Sequence, residues 1–259
     1  MTKSELRHKL APSEAVEDYL KTIYLLREEA LARGEVGRVT TNALAERLDV
    51  EPGSVTGMLR KLAGEREGAP QLVRHEPYRG VELTETGEKL ALEIVRHHRL
   101  LELYLTRVLG FRWDEVHEQA DEMEHVISEE FEEKIDQMLG EPIVDPHGDP
   151  IPTRSGSLPE QPELVSLAEL EPGRAARVRR VRDQTPDLLR HLETLHLLPN
   201  AEVTVLDRAP FGGPLRLRIL EPLALASAGA ESHAGLAEHE QSIGPQLAAS
   251  ILAAPITGR

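Results

Sequence analysis

The chain has 259 residues, no cysteine and a formal net charge of −15 at pH 7. That excludes disulfides, thiolate metal ligands and cysteine nucleophiles, and it excludes a generally basic, nucleic-acid-coating surface while leaving room for a local basic face. Aromatic residues are only 3% of the chain, so its core must rest on Leu, Val, Ile and Ala; with no signal-peptide run and no stretch near the roughly 20 apolar residues of a membrane helix, a soluble cytoplasmic protein without a membrane partner is expected.

Residues 13–30 carry Val16, Leu20, Ile23 and Tyr24 at helical spacing, with Ser13 as the natural N-cap. Gly34 and Gly37 punctuate the loop that follows. Residues 40–63, TTNALAERLDVEPGSVTGMLRKLA, read as two short helices around a tight break at DVEP. Pro52 opens the second of them, and Val55, Met58, Leu59 and Leu62 face inward. This is a helix-turn-helix pattern. Two strands, LVRH at 72–75 and VELT at 81–84, flank a turn from Pro77 to Gly80 and form a wing. One long helix is expected over 84–110 and another over 114–138, capped by Asp114.

Residues 140–163 are rich in Pro, Gly and Ser and read as a linker. Beyond it, RAARVRRV, AEVTVLDR and PLRLRIL are strand-like. TPDLLRHLETLHLL reads as a helix, PFGGP as a hairpin turn and GPQLAASILA as a closing helix. Together they suggest a small β-barrel, with residues 221–241 as a loose insertion.

The second helix of the helix-turn-helix exposes Ser54, Thr56, Gly57, Arg60 and Lys61, which are small or basic. Thr41 opens the first helix, and Tyr78 and Arg79 form the wing tip beyond Arg74. Small hydroxyl residues at a helix N-terminus can approach base edges, and Arg and Lys neutralise phosphates. Any helical hairpin imitates the bare pattern, so it is this residue content that points to DNA.

A second constellation lies in VHEQADEMEHV, residues 116–126. At about 100° per residue, His117, Asp121, Glu124 and His125 fall within a stripe about 100° wide that flanks the apolar face. On the preceding helix, His98 and Glu102 are four apart and share a face. Helical bundles hold divalent metals with carboxylates and imidazoles at such spacings. The segment also carries Glu118, Glu122, Glu129, Glu130, Glu132 and Glu133, and from spacing alone a solvated acidic face is the simpler reading. His97, His147 and His191 lack such company and are expected on the surface.

The order of these parts resembles the diphtheria toxin repressor family of iron- and manganese-dependent regulators, over residues 12 to about 210. The resemblance is carried by EDYLKTIY, LAERLDVEPGSVTGMLRKL, YRGVELTETG, RHHRLLELYL, VHEQADEMEHVISEEF and PHGDPIP. It implies a mainly α fold with β: a winged helix-turn-helix DNA-binding domain (1–84), a helical metal-binding and dimerisation domain (85–140), a Pro-rich linker (141–163) and an SH3-like β-barrel (164–259). It further implies a homodimer that binds operator DNA as a metal-dependent repressor, and not an enzyme.

Carried over by position, the resemblance gives a primary metal site of Asp18, Asp121, Glu124 and His125. A second would use His98, Glu102 and His117 with help from the barrel, where Asp183 and Gln184 lie in the matching region. Iron-responsive members typically have Met at the position of Asp18 and Cys at that of Asp121, whereas manganese-responsive members have carboxylates. Hard oxygen ligands suit Mn2+, so Mn2+ is the expected cofactor. Fe2+ is the alternative, and Co2+, Zn2+ or Cd2+ are expected to bind in vitro. Lys21 stands where some manganese members carry another Glu ligand, which counts against a binuclear site of that type. Two rivals stand beside this reading. One is a metal-independent winged-helix regulator, in which the His/Glu stripe is a dimer-interface network. The other is a carboxylate-bridged metalloenzyme, for which the sequence supplies no nucleophile or base motif.

Overall fold

A computed structural model describes residues 12–64, 70–76, 78–220 and 238–256. The chain divides into two compact units. The first comprises Met1–Leu101, Ala120–Glu141 and Ile151–Pro159, and the second Glu102–Gln119, Pro142–Pro150 and Glu160–Arg259.

In the first unit, α1 (Glu14–Ala32), α2 (Thr41–Arg47) and α3 (Pro52–Leu62) precede a hairpin of β1 (Val73–Glu76) and β2 (Gly80–Leu83). Ser13 holds the N-cap position of α1 but makes no side-chain bond there. Thr40 does cap α2, its hydroxyl accepting from the Ala43 N–H at 3.1 Å. The hairpin pairs in the register Val73↔Leu83 to Glu76↔Gly80, and Val39 adds an unforeseen third rung by pairing with Val81. Gly80 is required there. Its φ is +96°, and a Cβ would lie 2.7 Å from the Val39 carbonyl oxygen. Leu20, Ile23, Leu44, Val55, Leu59, Leu62, Val73 and Val81 close one core with Leu90, Ala91 and Val95 of α4 (Glu85–Arg107). Each fully buried Leu contributes about 2 kcal/mol, so the winged helix and the start of α4 form one packed body.

The helix expected over 114–138 is two helices, α5 (Val116–Met123) and α6 (Glu129–Met138). Ser128 starts the second, its hydroxyl accepting from the Phe131 N–H at 3.2 Å. Glu124 and His125 therefore lie in the turn after α5, where the helical ruler no longer applies. Asp114 does not cap α5; it is buried and accepts from Arg112 and Arg190. Residues 145–152 of the expected linker are largely buried. The cause is local: Asp145 Oδ1 accepts from the N–H groups of His147 (2.8 Å) and Asp149 (2.9 Å), which satisfies buried backbone that a loop would give to water.

The second unit contains a six-stranded antiparallel sheet of order β3-β8-β4-β5-β6-β7. Its strands are β3 (Val165–Ser166), β4 (Ala175–Val181), β5 (Glu202–Arg208), β6 (Leu215–Leu220), β7 (Glu238–Ile243) and β8 (Ile251–Pro255), with α7 (Pro186–Thr194) and α8 (Pro245–Ser250). Val178, Val203, Val205, Leu215, Leu217 and Ile219 alternate inward and meet Leu189 and Leu192 of α7. The domain is SH3-like, but β3 and β7 are edges among the described strands, so the sheet is not a closed barrel. The closing helix expected in GPQLAASILA stops at Ser250, and β8 follows. Of the expected insertion, residues 238–241 belong to β7, and the rest lies outside the described residues. Among those residues, no helix is long and apolar enough to cross a membrane.

Candidate metal centre and nucleic-acid face

The polar cluster of the first unit is built where α1 meets the turn after α5. Asp18, Glu124 and His125 each offer a donor atom within 4.8 Å of the others, and so do His98, Asp121 and Glu124. Glu124 belongs to both trios and its side chain is fully buried. His98 Nδ1 lies 2.6 Å from Glu124 Oε2 and 3.2 Å from Asp121 Oδ1. His98, expected beside Glu102 and one turn before it on α4, thus also stands with the primary set. Asp18 is half-exposed and meets His125 Nε2 at 3.0 Å.

Two residues complete this centre that spacing did not reveal. Glu17 is buried and takes the other nitrogen of His125, Nδ1, at 2.7 Å. With Asp18 and Glu17 bonded to opposite sides of one ring, the His125 pKa rises to about 9. The second is Lys21. Its Nζ donates to Asp121 Oδ1 at 2.7 Å and to Glu124 Oε1 and Oε2 at 2.7 and 2.8 Å. Burial opposes its charge, but Glu124 and Asp121 outweigh burial and hold its pKa above the ordinary lysine value. Carboxylate oxygens and an imidazole within this span form a donor set that a divalent cation fits, and no sulfur is among them.

Behind the cluster, His97 is fully buried rather than on the surface. Its Nδ1 donates to the Glu124 carbonyl oxygen at 3.1 Å and its Nε2 meets Glu132 Oε2 at 3.0 Å.

In the second unit, Glu102 gathers other donors. His117 Nδ1 lies 3.2 Å from Glu102 Oε1, and Glu102, Asp145 and His147 form a buried trio within 4.8 Å. His147, expected on the surface, donates from Nε2 to the Trp113 carbonyl oxygen at 2.8 Å. Burial opposes its charge, yet Glu102 and Asp145 outweigh it and raise its pKa to about 9. The Pro, Gly and Asp neighbours of His147 in PHGDPIP carry no compositional sign of this burial. Asp183 joins no such group among the described residues. It is exposed, and its Oδ1 accepts from the Thr185 N–H at 3.1 Å. His191 is exposed, as expected.

The helix-turn-helix presents Ser54, Gly57, Arg60 and Lys61 to solvent, while Val55, Leu59 and Leu62 hold the opposite face of α3 in the core. Thr56 is half-buried and its hydroxyl donates back to the Pro52 carbonyl at 3.1 Å; Thr41 is also half-buried. An added Cβ at Gly57 would meet nothing within 4 Å, so that stretch of α3 lies open. No carboxylate interrupts α3. Tyr78 is fully exposed at the wing tip, with Arg79 beside it, 3.3 Å from Glu76. The result is a local basic, small-residue face on an acidic chain.

Residues 12–81 match the iron dependent repressor N-terminal DNA binding domain, residues 84–153 the iron dependent repressor metal binding and dimerisation domain, and residues 165–232 the FeoA domain. The chain is 37% identical over 211 residues to the iron-dependent repressor IdeR of Mycobacterium tuberculosis, covering 77% of this chain and 86% of that protein. A solved manganese-dependent transcriptional repressor in complex with manganese is similar at 33% identity and TM-score 0.73, over 93% of this chain and all of the other. ScaR with bound Cd2+ is similar at 28% identity and TM-score 0.68, over 95% of this chain and all of the other.

Proposed function

This chain belongs to the iron-dependent repressor family of metal-dependent transcriptional repressors, DNA-binding proteins rather than enzymes, and on that premise we propose that it is a manganese-responsive repressor acting as a homodimer on operator DNA. The observation that carries the metal choice is the donor set around Glu124. Asp18, Asp121, Glu124 and His125 offer oxygen and imidazole nitrogen only, which suits a hard divalent cation. Asp18, Asp121, Glu124 and His125 would hold the cation, which would supply positive charge to offset the carboxylates brought together from α1 and the end of α5. Asp18 ties the winged helix to the centre, because α1 packs in the same core as α3 and the wing. With Nε2 deprotonated His125 would serve as a ligand, while its Nδ1–H donates to Glu17 Oε2, which fixes the ring's orientation. Ser54, Gly57, Arg60 and Lys61 then approach the major groove, with Tyr78 and Arg79 on the flanking backbone. A second set of donors forms round Glu102 with His117, Asp145 and His147.

The test is operator affinity measured at fixed salt with chelator, Mn2+, Fe2+ and Zn2+, because salt alone shifts DNA affinity strongly. Mn2+ is expected to tighten binding by about 10- to 100-fold, the usual range of allosteric coupling. Equal affinity with chelator and with every metal would defeat the reading. A response to Fe2+ but not to Mn2+ would instead favour the iron-responsive alternative, in keeping with the name of the mycobacterial relative. Glu17→Gln checks the histidine arrangement. It is expected to weaken Mn2+ binding about 10- to 100-fold, as loss of a ligand's orienting partner does; unchanged affinity by titration would show that Glu17 plays no part.

A further inference from the structure

The arginines of the winged helix are not equally available. Arg27, Arg33, Arg38, Arg47 and Arg79 each pair with a glutamate. Arg60 and Lys61 of α3 are exposed, and their side chains enter no ion pair or hydrogen bond among the described residues. Resting on the operator-binding reading above, which leaves open what sets the sequence, we propose that Arg60 is the base-reading residue of α3 and that its guanidinium recognises a guanine in the major groove.

Direction singles out Arg60. Successive residues of a helix turn by about 100°, so with Gly53 at zero Gly57 lies at about 40° and Arg60 at about −20°. Val55, Leu59 and Leu62, all buried, lie between about 180° and 240° on the same scale. Arg60 therefore stands on the line of α3 opposite the core, and the other two residues of that line have no side chain. An added Cβ at Gly53 or Gly57 would meet nothing within 4 Å, so the helix backbone itself can approach a groove floor there. Lys61 and Ser54, at about 80° and 100°, belong to one flank.

Chemistry singles it out again. Thr56 commits its hydroxyl to the Pro52 carbonyl oxygen at 3.1 Å, Ser54 offers one short hydroxyl, and Lys61 is a point charge without a fork. Only Arg60 can donate to two acceptors at once. Guanine presents O6 and N7 as paired acceptors in the major groove, whereas adenine pairs its N7 with a donor, cytosine offers a donor, and thymine offers one acceptor beside a methyl group. Arg60 also enters the groove without breaking a contact, while Arg79 must first leave Glu76. Lys61 on the flank and Arg79 on the wing then serve affinity through phosphates, and Arg60 serves sequence.

The test starts from duplexes that the full chain selects from a random-sequence DNA pool, with Mn2+ and in parallel with Fe2+. Affinity for the selected duplex and its single-base-pair variants is then measured over a range of salt for wild type, Arg60→Ala, Arg60→Lys and Lys61→Ala. Wild type is expected to discriminate at a G·C pair by about 5- to 150-fold, the range of one bidentate contact. Placing 7-deazaguanine there removes the N7 acceptor and is expected to weaken wild-type binding. Inosine keeps O6 and N7, lacks only the minor-groove amino group, and is expected to be tolerated. Arg60→Ala and the charge-conserving Arg60→Lys are both expected to lose the discrimination and the response to 7-deazaguanine. Lys61→Ala is expected to weaken every duplex alike and to reduce the salt slope by about 0.9. If Arg60→Ala behaves in that same uniform way, or keeps full discrimination at every G·C pair, Arg60 is not the base reader and the proposal falls. A selected duplex without an Arg60-dependent guanine likewise rejects only the role of Arg60. Failure of the wild type to enrich any duplex with either metal rejects operator binding itself, and the proposal with it.

Discussion

Asp18→Ala is expected to abolish the response of operator binding to Mn2+ while leaving the fold intact. The fold should survive because the Asp18 side chain is 43% exposed and its bond among the described residues is to His125, which keeps Glu17 on its other nitrogen. The response should fail because Asp18 is the only ligand contributed by the winged-helix body. Glu124 and His125 can still bind a cation weakly without it, but a cation held there no longer distinguishes one placement of α1 from another. A ligand shifts an equilibrium only by its differential affinity for the two states. With the wild-type coupling at about 10- to 100-fold, the variant is expected to retain less than about 3-fold on the same scale. Coupling is reciprocal, so operator DNA should tighten Mn2+ binding to the wild type by the same factor and leave the variant's unchanged. Measuring both arms guards against a trivial loss of DNA affinity. A variant whose operator affinity still rises tenfold with Mn2+ would show that the winged helix is coupled through another path.

The contrast between Asp18 and its neighbours shows what a sequence can carry about such a centre. The winged helix was legible because its signals are local: Pro52 at a first helical turn, apolar spacing in α3, and a glycine at the one wing position that tolerates no Cβ. The α5–α6 break was not, because no Gly or Pro marks it and Ser128 announces itself only by capping Phe131. Glu17 was hidden by the helical ruler. Successive residues point about 100° apart, so Glu17 and Asp18 look like alternatives, yet the two nitrogens of one imidazole diverge enough to engage both. Lys21 stood out by its residue type, but nothing in the α1 pattern told that its amine would enter the cluster. The burial of His147 was masked by Pro, Gly and Asp neighbours, whose composition reads as loop. For Glu17 and Lys21 the missing information is a long-range contact, set by how α1 packs on α4 and the turn after α5; for His147 it is the contact with the Trp113 carbonyl.

Glu132→Gln is expected to give the largest loss of stability, because Glu132 fastens α6 to α4 beneath the centre. Its Oε1 accepts from Arg96 Nε at 2.5 Å and its Oε2 meets His97 Nε2, all with side chains at most 6% exposed. Arg96 also donates to the Pro152 carbonyl oxygen at 2.8 Å and pairs with Asp136 at 2.9 Å. Removing the charge of Glu132 leaves a buried guanidinium short of its closest counter-charge, a change that costs about 3–5 kcal/mol. The pH dependence gives an independent check. Burial pushes the Glu132 carboxyl up, but His97 and Arg96 outweigh it and hold the pKa at about 2, against an ordinary value of 4.5. A carboxyl whose pKa is depressed by folding stabilises the fold fully above the unfolded value and loses that contribution as pH falls through the folded value. The stability difference between wild type and Glu132→Gln, from denaturant unfolding, should therefore be constant above about pH 5 and shrink steadily below about pH 4.5. Taking the difference removes the contribution of the other carboxylates. A gap that stays level down to pH 3 would mean that Glu132 is not the ionised partner of Arg96 and His97. Because His97 also donates to the Glu124 carbonyl oxygen, the same variant is expected to weaken Mn2+ binding, which ties the stability of the α4–α6 clamp to the position of the shared ligand.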